Sequence, residues 1–234
     1  MSAIHARQLS FYATPESFLA TPDDERSSSP PIWDPEGATE QTAADVFRWQ
    51  WDYWVVDDIL SAVSLANTGA GGTPMIVEDA PIKRVVSVRI SPIPVGAAPE
   101  GEEDLGRAPR TGGAGQGGQS HTGRSSASGN ETYDTRVARV SMIVDGERLP
   151  VVFDALASVN FMTVVGLQVN AVDPWQEMAE GFYYGAAPVC RVDLEVETNW
   201  LRGWMTGYMP GAIHDRLGIA MPDSAEGDEE FVEP

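Results

Sequence analysis

The sequence predicts an α+β domain in which two helices pack on one face of a four-stranded antiparallel sheet. Several segments alternate apolar and polar residues with a period of two, which is typical of half-buried strands. Two other segments repeat apolar residues at helical spacing. The predicted elements follow one another in the order αββ-αββ, so the two halves share a topology without convincing sequence identity.

The first predicted helix runs from about residue 42 to residue 67. Thr42, with Asp45 three residues later, is a typical N-terminal cap, and Asn67 marks the end. We expect a core stripe of Trp49, Tyr53, Val56, Leu60 and Val63, widened by Phe47, Trp51, Trp54, Val55 and Ile59. Because such a helix is apolar nearly all round, it should contact the sheet and also the N-terminal tail or a partner.

Two strands follow this helix, and a long low-complexity stretch separates them. In residues 81–93, the pattern predicts that Val86, Val88 and Ile90 face inward and that Ser87 and Arg89 face outward. In residues 136–144, the inward set is Ala138, Val140, Met142 and Val144. The Gly/Ser-rich residues 96–132 have little to bury, so we expect a disordered loop that connects the two strands of a hairpin.

The second half of the chain repeats this order. Residues 149–160 carry apolar side chains at helical spacing, with Pro150 tolerated in the first turn. The strand predicted at 161–171 places on one side Phe161, Thr163, Val165, Leu167, Val169 and Ala171. In the strand predicted at 189–198, the residues expected to face inward are Cys190, Val192, Leu194 and Val196. Those expected to face water are Arg191, Asp193, Glu195 and Glu197. Two αββ units of this kind predict a ferredoxin-like sandwich in permuted order.

The predicted domain organisation follows from composition. Composition predicts that residues 1–40 are a flexible tail. Its apolar residues either dock on the domain surface or are the remnant of an upstream segment; they are Leu9, Phe11, Tyr12, Phe18 and Leu19. Residues 41–219 form the ferredoxin-like domain, with the insertion at 96–132, and residues 220–234 form an acidic C-terminal tail.

Charge and composition exclude several classes of function. With 35 acidic and 15 basic residues, the net charge of −20 disfavours binding to nucleic acid or to an anionic membrane surface. No apolar run is long enough for a transmembrane helix, and no signal-peptide pattern follows Met1. The single cysteine, Cys190, excludes an internal disulfide and is expected to be a buried, inert thiol.

Motifs that carry chemistry are scarce. The histidines His5, His121 and His214 have no second ligand at metal spacing, and the glycine-rich residues 112–118 lack the lysine of a phosphate-binding loop. We therefore expect no catalysis, no cofactor and no metal. A small-ligand or divalent-cation site on an acidic face remains an alternative, formed by Asp57, Asp58, Glu195 and Glu197. Asp58 could instead pair with an arginine such as Arg202. An enzyme is a third hypothesis and would need a deep pocket with perturbed ionisable groups.

Aromatic residues are more numerous than a sheet with two helices needs. The set comprises Trp49, Trp51, Trp54, Tyr183, Tyr184, Trp200 and Trp204. These side chains either pack the helix on the sheet or act as anchors in a protein–protein contact.

Two stretches carry a resemblance to a known family. One is residues 47–66, FRWQWDYWVVDDILSAVSLA, leading into the strand at 85–90. The other is residues 182–209, FYYGAAPVCRVDLEVETNWLRGWMTGYM. Together with the element order over about residues 40–219, they resemble the ferredoxin-like PilO/GspM class of type IV pilus and type II secretion assembly proteins. Members of this class have an N-terminal transmembrane helix and often a coiled coil, both of which this chain lacks.

The resemblance implies a non-catalytic scaffold that pairs with itself or with a homologous subunit. It implies a location in the cell envelope, at the periplasmic face of the inner membrane; without the resemblance, the expectation is the cytoplasm. We expect partners to be protein, with neither nucleic acid nor direct membrane insertion. The residues expected to make the contact are Trp49, Trp51, Trp54, Asp57, Asp58, Tyr184, Trp200, Arg202 and Trp204.

Overall fold

The computed structural model describes residues 8–18, 42–93, 122 and 132–219. Its helices are α1 (Ala43–Ala66), α2 (Leu149–Ser158), α3 (Pro174–Ala179), α4 (Arg202–Met205) and α5 (Gly211–Leu217). Its strands are β1 (Ile82–Ile90), β2 (Tyr133–Asp145), β3 (Thr163–Ala171) and β4 (Val189–Leu201). The predictions for most of the N-terminal tail, the insertion at 96–132 apart from Thr122 and Thr132, and the C-terminal tail lie outside the described residues.

The four strands form one antiparallel sheet in the order β1-β2-β4-β3. This confirms the α+β class and the four-stranded antiparallel sheet. It also confirms the predicted pairing of β1 with β2, with Val88 opposite Val140. β4 lies between β2 and β3, with Leu194 opposite Val140 on one side and opposite Leu167 on the other.

Helices α1 and α2 cover one face of the sheet and bury a single apolar core with it. The inward residues of β2 and β4 lie in this core as predicted, namely Ala138, Val140, Met142, Val144, Val192, Leu194 and Val196. The short C-terminal helices complete the core with Met205, Met209, Ile213 and Leu217.

Helix α1 begins where the sequence predicts, but relative to the prediction it is rotated about its axis, so that part of its buried face differs. The Thr42 hydroxyl accepts a hydrogen bond from the Asp45 amide at 3.2 Å, and the Asp45 carboxylate accepts one from the Thr42 amide at 3.2 Å. The predicted core stripe is wrong at Tyr53, which is 62% exposed, and right at Val63, which is buried. The buried apolar residues are Phe47, Trp51, Val55, Ile59, Ala62, Val63 and Ala66, so four residues that were predicted only to widen the stripe form its centre. Its small residues, Ala62 and Ala66, allow close approach to the sheet, which a count of large apolar residues overlooks.

Three register shifts, two in β1 and one in β3, change which side chains face the core. The shifts between Ile82 and Arg84 and between Val85 and Ser87 place Ile82, Val85 and Val88 toward the helices. Val86 packs instead on the opposite face, beside Ile143 and Tyr12, so its predicted inward orientation is wrong. The shift between Val164 and Gly166 places Val164 opposite Val196 and displaces Val165 from the alternation.

Residues 8–18 close the outer edge of β1. The Tyr12 amide donates to the Lys83 carbonyl, and the Val85 amide donates to the Tyr12 carbonyl, both at 2.8 Å. The Ser17 hydroxyl donates to the Val85 carbonyl at 3.1 Å. Docking of Tyr12, which the sequence left open, therefore supplies backbone partners to one edge of the sheet.

Candidate functional site

Most of the aromatic residues expected to anchor a partner lie inside the domain. Trp51 is fully buried and lies edge-on to Phe47 at 5.9 Å and to Trp200 at 6.3 Å between ring centroids. Trp54 stacks on Trp200 at 6.0 Å. Trp51, Trp54 and Trp200 therefore pack the helix against the sheet, which is the first of the two alternatives considered for the aromatic residues. Trp49 is half-buried, and Trp204 is 73% exposed.

Tyr184 is also internal. Its hydroxyl donates to the Glu177 carboxylate at 2.6 Å, and the same carboxylate oxygen accepts from the Arg84 guanidinium at 2.9 Å. Burial, followed by the bond to Glu177, raises the pKa of Tyr184. These contacts hold the connection between β3 and β4 against the sheet.

Asp58 and Arg202 do not form the ion pair that the sequence suggested. The Arg202 guanidinium donates to the buried Asp134 carboxylate at 2.7 and 3.2 Å, because β2 and β4 end side by side. Asp58 is buried and accepts a hydrogen bond from the Asn160 amide group at 2.6 Å. Burial of the Asp58 carboxyl raises its pKa, and the neighbouring charge of Asp57, which is exposed, acts in the same direction.

The four carboxylates considered for a cation site do not share one surface. Asp57 and Asp58 lie on α1, on the helix side of the sheet. Glu195 and Glu197 alternate along β4 with the core residues Leu194 and Val196, so they point to the opposite side. Glu197, which was expected to face water, is fully buried and accepts hydrogen bonds from the Thr122 amide and hydroxyl. Over the described ranges, no group of three or more His, Cys, Asp or Glu side chains is placed to hold a metal ion.

Two further predicted residues are placed as follows. Cys190 is half-buried against the core, and burial raises the pKa of its thiol, which favours the protonated, unreactive form. His214 is buried on α5, with Nε2 at 3.2 Å from the Thr206 carbonyl oxygen. His5 and His121 lie outside the described residues.

The face of the sheet opposite the helices carries a shallow groove of about 440 Å³. Arg89 and Arg139 lie opposite each other on β1 and β2, and Arg139 contacts Glu195 of β4 at 3.7 Å. Arg191 contacts Asp193 at 3.3 Å and donates to the Ser141 hydroxyl at 2.9 Å. Solvated ion pairs of this kind contribute little to the stability of the fold. They make this face of the sheet polar, unlike an apolar surface that would bind a protein partner.

The outer edge of β3 is the most unusual surface of the described domain. β3 is the last strand of the sheet, and its nine residues, TVVGLQVNA, include no charged side chain. Leu167 and Val169 lie on the helix side yet are 49% and 50% exposed, because the helices do not extend over them. Natural proteins usually protect a sheet edge with charges, with proline or with a covering segment, as residues 8–18 do for β1. β3 has no such protection within the part of the chain that the structure describes.

The turn that leads into β3 has a strained backbone. Asn160 and Phe161 have φ angles of 39° and 53°, in the left-handed region of backbone conformation that residues other than glycine rarely adopt. The Asn160–Asp58 hydrogen bond and a 3.1 Å bond from the Asn199 amide group to the Phe161 carbonyl hold this turn. It presents Phe161, 68% exposed, at the start of the β3 edge.

Sequence reasoning placed Phe161, Leu167 and Val169 on one side of a predicted strand and did not single them out as exposed apolar residues. The signal that could have found them is the absence of charge from residues 163–171 in a chain whose residues are 21% charged.

Comparisons with family models, with curated proteins and with solved structures found no match to this chain. No described helix combines the length and the apolar character needed to cross a membrane.

Proposed function

We propose that this protein is a non-catalytic interaction module that pairs through its β3 edge with a second copy of the same domain. The observation that carries the proposal is the uncharged, half-apolar edge strand, where Leu167 and Val169 are exposed beside a backbone edge that no described strand pairs with. Addition of a strand to such an edge combines backbone hydrogen bonds with apolar contacts from alternate side chains.

Charge repulsion allows a second copy of this chain to bind only at an uncharged surface such as the edge of β3. Each chain has a net charge of −20, so two copies repel each other over most of their surfaces. β3 contributes no charge, and Leu167 is the middle residue of Thr163–Ala171. Antiparallel pairing of two β3 strands about Leu167 forms a two-fold interface and extends the sheet from four strands to eight.

The strand order supports the finer assignment to a permuted ferredoxin-like fold. A β-α-β-β-α-β chain whose first strand is moved to its end has the element order αββαββ. In that permutation the moved strand stays at the centre of the sheet, which is where β4 lies. Together with the resemblance to the PilO/GspM class, this supports a scaffold subunit of a pilus or secretion-type assembly in the cell envelope.

The test is the oligomeric state of the full chain by light scattering across a wide concentration range. Leu167→Lys combined with Val169→Lys places two charges on the edge and should convert the dimer to a monomer. Tyr53→Lys, an exposed apolar-to-lysine change on α1, is the matched control and should leave the dimer intact.

The Trp204→Ala variant distinguishes a second interface. Loss of the dimer with Trp204→Ala, but not with the β3 variant, would move the interface to the C-terminal segment and overturn the β3 assignment. A wild-type chain that stays monomeric at high concentration, and that captures no partner in crosslinked cells, would overturn the module itself.

A further inference from the structure

A small cavity lies at the opposite edge of the sheet from β3, where β1 ends. It encloses about 210 Å³ between the first turn of α1, the residues that follow β1, and α5. Its apolar walls are Ala44, Pro92, Ile93, Ala212 and Ile213. The cavity combines this aliphatic lining with the guanidinium groups of Arg48 and Arg216.

Among the described residues, two arginines and one carboxylate line this cavity. Arg48 pairs with Asp45. Arg216 donates from Nε to the Ile93 carbonyl oxygen at 3.0 Å and has no carboxylate partner among the described residues. Two positive groups and one negative group therefore leave an excess of one positive charge in the lining, in a chain whose net charge is −20.

The Nε atom of Arg48 is buried and has no hydrogen-bond partner among the described residues. Buried donors without acceptors are rare in folded proteins, so this atom, which belongs to the lining of the cavity, indicates a missing partner. Arg136 does not line the cavity: its fully buried guanidinium pairs with Asp52, donates to the Ser91 carbonyl at 3.0 Å and lies over the Trp51 ring. Burial lowers the pKa of Arg136, and the positive charges of Arg48 and Arg216 act in the same direction.

Asp45 limits the charge that a ligand can carry. One of its carboxylate oxygens accepts from the Thr42 amide and hydroxyl, and the other accepts from Arg48. It is therefore held as an anion in the cavity wall and would repel a dianion such as phosphate. A single carboxylate matches the excess of one positive charge and the planar geometry of a guanidinium.

We propose that this cavity binds the carboxylate of a short branched aliphatic acid, with the carboxylate on Arg48 and Arg216 and the aliphatic stem against Ile93 and Ala212. At about 30 Å³ for each non-hydrogen atom, the cavity holds about seven such atoms, the size of isovalerate. The carboxylate can belong to a free acid or to the C-terminal residue of a peptide. This site lies apart from the β3 edge, and its occupancy does not depend on dimerisation.

The test is a titration of the isotope-labelled full chain with isovalerate, followed by amide chemical shifts. We expect saturable shifts centred on Ala44, Ile93 and Ala212, with a dissociation constant in the millimolar range. Arg216→Gln should weaken binding about tenfold, as expected for the loss of one charge-assisted hydrogen bond. Arg139→Gln, which removes an arginine on the other face of the sheet, should leave binding unchanged.

Ala212→Leu provides a second variant, since it fills the cavity and keeps every arginine. It should abolish the shifts without lowering the melting temperature. Isovaleramide, the neutral isostere, should not bind. Equal responses to acid and amide, a response to inorganic phosphate alone, or no response to isovalerate would overturn the proposal. Tighter binding of acetyl-glycyl-valine than of isovalerate would identify a peptide C-terminus as the source of the carboxylate, and weaker binding would identify a free acid.

Discussion

At the residue scale, the buried polar side chains of this domain are held by specific partners. Lys83 is fully buried on β1, and its ammonium donates to the Val77 and Glu78 carbonyls at 2.9 and 2.8 Å. Burial lowers the pKa of Lys83, and this effect is partly offset by the charge of Asp145. Asp134 is likewise compensated by two hydrogen bonds from Arg202. Such groups are costly to bury singly and are tolerated because their partners are in place.

Asp58 is less well compensated, and this leads to a prediction about pH. One oxygen accepts a hydrogen bond from Asn160, whereas Oδ2 is buried and has no hydrogen-bond partner within the described part of the chain. Because burial raises the pKa of Asp58 in the folded state, the ionised form destabilises the fold above that pKa. Asp58→Asn should therefore raise the melting temperature by a few degrees at neutral pH. The gain should shrink as the pH falls toward about 3.9, where the wild-type carboxyl is protonated.

Thermal unfolding followed by circular dichroism across this pH range measures the effect. Asp57→Asn is the matched control: Asp57 is exposed, and its replacement removes only the smaller charge effect on Asp58, so any gain should be much smaller than that of Asp58→Asn. A loss of stability for Asp58→Asn at neutral pH would mean that the charge of Asp58 has a stabilising partner.

At the element scale, the two edges of the sheet differ in their protection. Residues 8–18 cover the outer edge of β1 through the backbone hydrogen bonds of Tyr12. The Tyr12 ring also packs edge-on against two aromatic rings, with centroid distances of 5.4 Å to Phe182 and 6.0 Å to Tyr184. β3 has no described counterpart of this segment. A chain that protects one edge and leaves the other without charge favours association at the second edge.

The N-terminal segment should contribute measurably to stability. Tyr12→Ala removes a buried ring and should lower the free energy of unfolding by about 3 kcal/mol, the lower end of the range for aromatic-to-alanine changes in a core. Tyr12→Phe keeps the ring and loses only the 3.2 Å hydrogen bond to the Tyr183 carbonyl, so its cost should be about 1 kcal/mol.

Urea denaturation of the full chain gives both values. Gln8→Ala, an exposed change in the same segment, serves as the control. If Tyr12→Ala were as stable as the control, residues 8–18 would not be packed on β1 in solution.

At the scale of the whole molecule, the net charge of −20 opposes both folding and association. Salt screens repulsion between exposed charges over distances beyond about 10 Å at about 0.1 M ionic strength. An interface formed by an uncharged strand has no ion pairs of its own to lose when salt is added.

Association through β3 should therefore strengthen as salt rises from about 0.02 M to about 0.5 M, and the melting temperature should rise with it. Sedimentation equilibrium at several salt concentrations measures the dimer dissociation constant. The Leu167→Lys, Val169→Lys double variant should remain monomeric throughout. A dimer that weakens with salt would indicate an interface built from ion pairs and would argue against β3.

The sequence by itself determined the α+β class, the four-stranded antiparallel sheet and the alternation of inward residues along β2 and β4. It also determined the cap of α1 at Thr42 and Asp45. These features follow from local chemistry, since strand alternation, helical spacing and capping involve residues only a few positions apart.

Only the tertiary structure decided the rotation of α1, the burial of Glu197, the Asp134–Arg202 pair and the grouping of Arg48, Arg136 and Arg216. Each depends on residues that are far apart in the chain and meet when strands pair or helices pack. The bulges at Val85 and Val164 shift the faces of β1 and β3 by one residue, which the alternation alone does not reveal.

The tertiary structure also decides which edge of the sheet is covered. Residues 8–18 lie far from β1 in the chain, since the hydrogen bond from Ser17 to Val85 joins residues 68 positions apart. No local pattern marks a contact over that separation, because capping, turns and alternation are properties of neighbouring residues. The contact pairs Tyr12 with the edge of β1 and therefore depends on the tertiary position of that edge.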